Sequence, residues 1–97
     1  MFIKLYKLNL RRISSGEEYY LSEIMVNPTQ IVYMSEDTEA AVLMKEGKLN
    51  LGLHKSASFT KLRLLSREGR EEITVVEAAS AIEKKILSRS SKQLLRD

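Results

Sequence analysis

TKLRLLSREGREEITVV, residues 60–76, decides the fold. Leu62 and Leu64 alternate with Lys61 and Arg63, and a period of two places the leucines on one face of a strand and the cations on the other. Arg67-Glu68-Gly69-Arg70 is the tightest turn signal in the chain, with Gly69 at the left-handed position, and Glu72-Ile73-Thr74-Val75-Val76 pairs back. A β-hairpin of this kind cannot bury its apolar face alone, so the segments on either side must supply partners.

Upstream, Phe2 to Ile13 is too apolar and β-favouring for a surface loop and reads as a first strand. Ser14-Ser15-Gly16-Glu17 has turn chemistry, and the chain returns through Glu18-Tyr19-Tyr20-Leu21. Pro28 lacks a backbone donor and restricts Asn27, so Asn27-Pro28-Thr29 separates Ile24-Met25-Val26 from a strand over Gln30 to Met34. Glu36 to Glu39 reads as an acidic turn. Ala40 to Met44 is expected as a strand, with helix a competitor because alanine, leucine and methionine favour it. After a turn at Lys45-Glu46-Gly47, Leu49, Leu51 and Leu53 alternate strictly with polar or small residues and predict a half-buried strand.

From Ala78 the period changes. Ala79, Ile82 and Ile86 share a helical stripe with Glu83, Lys84 and Lys85 off it, which predicts a helix over about 78–88 and a frayed helix end or mobile tail over 89–97. Residues 1–88 therefore form a single β-rich domain, and 97 residues leave no room for a second core. The fold class expected is α+β, an antiparallel β-meander or small SH3-like or Sm-like barrel followed by one C-terminal α-helix. A parallel sheet would need crossover helices that the sequence lacks.

The motif order Ile3-Lys4-Leu5-Tyr6-Lys7-Leu8-Asn9, a Tyr19-Tyr20-Leu21 segment before an isoleucine and a proline turn, then VVEAASAIEKKI (75–86), resembles short flagellar and swarming-motility proteins of the FlbD type. Small uncharacterised proteins of tailed phages have a similar layout. The chain departs from the FlbD pattern in length, in the added Leu49 to Leu65 region, and at Ala78, where a capping serine is expected. The resemblance implies a small meander and a phage or prophage accessory role; fold alone does not assign chemistry.

Composition bounds that chemistry. With 43% hydrophobic and 30% charged residues the chain has the balance of a folded domain. The absence of cysteine excludes disulfides, thiolate metal sites and thiol catalysis. The N-terminal residues alternate apolar with basic side chains unlike a signal peptide, and no apolar run approaches a membrane span, so a cytoplasmic protein, in the host cytoplasm if phage-encoded, is expected.

His54 is the only histidine. Ser56 and Ser58 lie nearby, but neither sits in a G-x-S-x-G context. Glu36, Asp37 and Glu39 lack the spacing of a calcium loop, and no phosphate-cradling glycine loop is present. The expectation is therefore a non-enzymatic protein without cofactor or metal.

The candidate anion or ligand contacts are His54, Lys55, Ser56, Ser58, Lys61, Arg63, Arg67 and Arg70. Residues 1–13 and 47–70 are basic and 14–46 acidic; either these charges are dispersed over a solvated surface or folding gathers the basic blocks on one face. Phe59, leading into a leucine strand, reads as core rather than as a base-stacking platform. The leading functional expectation is a homo-oligomeric interaction protein using edge strands such as Leu49-Asn50-Leu51, with a possible protein partner and no membrane. The alternative is an anion binder for RNA, DNA or a nucleotide through the basic 55–70 segment, against which the mild net charge of +3 weighs.

Overall fold

The computed structural model describes residues 1–54 and 56–96, excepting the side chains of 89–96. Five strands, β1 (Ile3–Ile13), β2 (Gly16–Val26), β3 (Ile31–Glu36), β4 (Phe59–Ser66) and β5 (Gly69–Val76), form one antiparallel sheet in the order β2-β1-β5-β4-β3. Helix α1 (Thr38–Lys45) lies between β3 and β4, and α2 (Ala79–Arg96) ends the chain. The architecture is α+β. The 60–76 hairpin is present as read, with Leu62 opposite Ile73 and Ser66 opposite Gly69.

The first hairpin is longer. β1 and β2 pair in unbroken register from Ile3 opposite Val26 to Ile13 opposite Gly16. Between β2 and β3, Asn27 accepts the Thr29 N–H on its side chain and caps a 3₁₀ turn at Pro28–Gln30. That short link runs from one sheet edge to the other. In a flat sheet the outer strands of five would lie roughly 19 Å apart, whereas five residue steps containing a 3₁₀ turn cover well under about 17 Å. The sheet must therefore curl.

Packing agrees with that curl. Ile3 and Leu5 of β1, Val26 of β2, Leu62 of β4, and Ile73 and Val75 of β5 are buried in one cluster, with Ile31 and Met34 of β3 against it. Both edge strands thus meet inside. Ile82 of α2 is fully buried in this cluster and Ile86 packs beside it. The expected Ala79, Ile82, Ile86 stripe seats the helix, which runs further than 78–88. Its backbone is helical through Arg96, across most of the segment expected as a frayed end or tail; Asp97 lies outside the described residues.

The outer face carries two corrections. Ala40 to Met44 is helix, because Asp37 accepts the Ala40 N–H at 3.0 Å as N-cap and Ala40 and Met44, one turn apart, are both buried. The helix ends in a Schellman arrangement, with Gly47 at φ +74, the Lys48 N–H on the Leu43 carbonyl and the Gly47 N–H on that of Met44. Leu49 to Leu53 is not a strand. Leu49 is buried, Leu51 and Leu53 are half-buried, and all three pack with α1, Phe59, Leu8 and Tyr19 in a second cluster. The alternation recorded burial, but among the described residues no strand of the sheet pairs with this segment. The sheet edges are accordingly β2 and β3, not Leu49-Asn50-Leu51.

Candidate binding surfaces

Alternation along β4 and β5 places Lys61 and Arg63 opposite in direction to the buried Leu62, as expected. On that outer face one carboxylate holds both cations. Glu72 lies 3.1 Å from the Arg63 guanidinium and 3.8 Å from the Lys61 ammonium, and it accepts the Tyr33 hydroxyl at 3.3 Å. The Arg63 guanidinium also stands 5.0 Å from the centre of the Tyr33 ring. An incoming anion would have to displace Glu72 from two cations and a phenol.

Asp37 adjoins this group. It is buried, its Oδ2 accepts the Thr74 hydroxyl at 2.6 Å, and its own N–H donates to the Phe59 carbonyl. Burial pushes its pKa up, but the Thr74 hydroxyl, the Ala40 N–H and the Lys61 charge outweigh burial and hold it below the usual aspartate value. Asp37 therefore caps α1, ties it to β5 and adds a second negative charge near Lys61.

The remaining candidates do not converge on that group. His54 is exposed; its Nδ1 accepts the Ser56 N–H at 3.1 Å and lies 2.6 Å from the Ser56 hydroxyl, so the two residues satisfy each other within one turn of loop. Ser58 is exposed on the same loop, and Lys55 lies outside the described residues. Arg67 and Arg70 are exposed at the β4–β5 turn, and among the described residues neither has a carboxylate within ion-pair distance. Phe59 is core. Among the described residues no three histidine, aspartate or glutamate side chains converge as a metal site would require.

The sequence reading missed an apolar surface. Tyr6 and Leu10 share the outer face of β1 with Leu8, and Met25 lies beyond Lys4 on β2. Their exposures of 45%, 49% and 56% leave them uncovered. The signal was available in residues 3–10, where apolar side chains occupy both parities and one sheet face alone cannot take them all. A shallow groove of about 360 Å³ along α1 is lined by Thr38, Glu39, Val42 and Leu43.

Comparison with protein-family models, curated proteins and solved structures finds no match. No helix among the described residues is long and apolar enough to cross a membrane.

Proposed function

We propose that this chain is a non-enzymatic binding module that works as a homo-oligomer and engages partners through its sheet. The observation that carries the reading is the contrast between its surfaces. Among the polar groups expected to do chemistry, Lys61 and Arg63 are held by Glu72 and His54 by Ser56, whereas Tyr6, Leu10 and Met25 stand uncovered on a long hairpin. Apolar side chains gathered on one face gain free energy when a partner removes them from water. The curled sheet, whose two edges are joined by a short 3₁₀ link, fits the small SH3-like or Sm-like barrel type, and a phage or prophage accessory role follows only from the resemblance in motif order. Static light scattering on the purified chain at tens of micromolar tests the reading, which expects a mass at least twice that of the monomer; a strict monomer overturns the oligomer.

The second reading, an anion binder for RNA, DNA or a nucleotide, is favoured by Arg67 and Arg70, the two candidate arginines without a carboxylate partner among the described residues. Binding of a short oligonucleotide at low salt that weakens on Arg67→Ala and Arg70→Ala, and falls with added salt, is its expected outcome. No detectable binding at low salt removes it.

A further inference from the structure

The sheet has two edges, and they are built differently. β3 is six residues long, follows Pro28, and shifts register between Ile31 and Tyr33. Brevity, a proline and a bulge are the usual means of stopping a foreign strand from adding. β2 is eleven residues long, keeps unbroken register against β1, and carries no proline, lysine or arginine. Among the described residues no backbone hydrogen bond outside the sheet reaches β2.

The turn determines which β2 groups are free. Because Ser14 and Ser15 alone separate Ile13 from Gly16, that closing pair is hydrogen-bonded, and pairs alternate from there. The even-numbered residues of β2 turn their N–H and C=O groups to β1. Glu17, Tyr19, Leu21, Glu23 and Met25 turn theirs outward, with Leu21 at the middle of the strand.

We propose that the occupant of this edge is a second copy of the chain, its β2 pairing antiparallel with β2 about a two-fold axis at Leu21. The proposal rests on the homo-oligomer reading above and names its contact. Charge pattern selects the register. Centred on Tyr20, the pairing would set Glu17 against Glu23 of the second copy, and like charges directly opposite are destabilising. Centred on Ser22, it would carry Glu17 past the strand end to Asn27.

Centred on Leu21, every outward residue finds another. Leu21 meets Leu21, Tyr19 meets Glu23, and Glu17 meets Met25, each pair exchanging two backbone bonds. No acid faces an acid. Glu17 also enters a row that runs from Arg12, its neighbour within the hairpin, through Met25 to Lys4 of the second copy, so each end of the interface alternates in sign. Met25, uncovered in the single chain, gains a cross-strand neighbour.

The chain's lack of cysteine makes the register measurable. Directly opposed residues in a hydrogen-bonded pair have Cα atoms about 5.5 Å apart, within disulfide range. Leu21→Cys is expected to cross-link into a dimer on mild oxidation, and Met25→Cys, far from its own symmetry mate, is expected to give under about a tenth of that yield. Leu21→Pro removes an outward N–H while sparing every bond to β1, so it is expected to yield a monomer by light scattering with the β-sheet circular dichroism retained.

A wild-type oligomer whose mass survives Leu21→Pro, or in which Met25→Cys cross-links as readily as Leu21→Cys, overturns the β2 contact and leaves the homo-oligomer reading standing. A wild-type monomer overturns both. A monomer whose β2 amides gain exchange protection only on addition of a basic extended peptide assigns the edge to a foreign strand, and the second-copy proposal fails there too.

Discussion

Asp37 ties α1 to two strands of the sheet. One oxygen caps α1 through Ala40, the other takes the Thr74 hydroxyl of β5, and its N–H reaches the Phe59 carbonyl of β4. Asp37→Ala removes the cap and strands the Thr74 hydroxyl, and should cost about 2 kcal/mol in urea denaturation. Asp37→Asn keeps an acceptor for Ala40 and should cost less. The pH dependence follows from the depressed pKa of Asp37. Its charged form is favoured by folding, so the stability it contributes is fully present above the unfolded value near 3.9 and is lost as pH falls through the lower folded value. The acid side of a plot of urea midpoint against pH should flatten in Asp37→Asn. In the sequence this residue looked like one member of an acidic turn, because its partners Thr74 and Lys61 are remote in the chain.

At the scale of elements, the two hairpins and α2 each depend on a locally readable feature. Gly69 holds φ +118 at the end of the β4–β5 turn, a conformation that a side chain rarely adopts, although a Cβ there would meet no neighbour within 4 Å. Gly69→Ala is therefore expected to destabilise by about 1–2 kcal/mol through backbone strain alone, measurable as a lowered chemical-denaturation midpoint with an unchanged slope. Helix α2 is seated by Ile82, fully buried, and by Ile86 beside it. Ile82→Ala leaves a cavity where the helix meets the curled sheet and should cost about 2–5 kcal/mol, with amides of α2 losing exchange protection before those of β4 and β5. The helix over residues 38–45 illustrates the opposite case. Its propensity was mixed, and the decision came from a cap and from burial of Ala40 and Met44 against Phe59 and Leu49.

At the scale of the whole molecule, the outer face between β3 and β5 is a balanced charge group. Lys61 and Arg63 face Glu72, with Asp37 adjacent to Lys61. Glu72→Gln removes the compensating charge without altering the strand. If the anion reading holds, this variant should bind a short oligonucleotide at low salt at least several-fold more tightly than wild type and show a steeper salt dependence, read by fluorescence anisotropy. Unchanged affinity would separate this face from the basic tip at Arg67 and Arg70. Because these pairs are exposed, the substitution should change stability by less than about 1 kcal/mol.

What the sequence by itself determined is the local grammar: the 60–76 hairpin, the turn at Gly16, the break at Pro28, the stripe that seats α2, and the side of β4 on which Lys61 and Arg63 stand. These follow from backbone conformations and periods that neighbouring residues set among themselves. Tertiary structure decided which strands are neighbours, and with that the edges, the curl and the fate of Leu49, Leu51 and Leu53. A period of two reports alternating burial and is silent on whether another strand lies alongside, so a loop packed on a helix satisfies it equally well. The same limit applies to the candidate site. The hairpin alone sets Glu72 opposite Arg63, but Tyr33 and Asp37 join that group only because β3 pairs with β4 and α1 is tied to β5, contacts between residues remote in the chain.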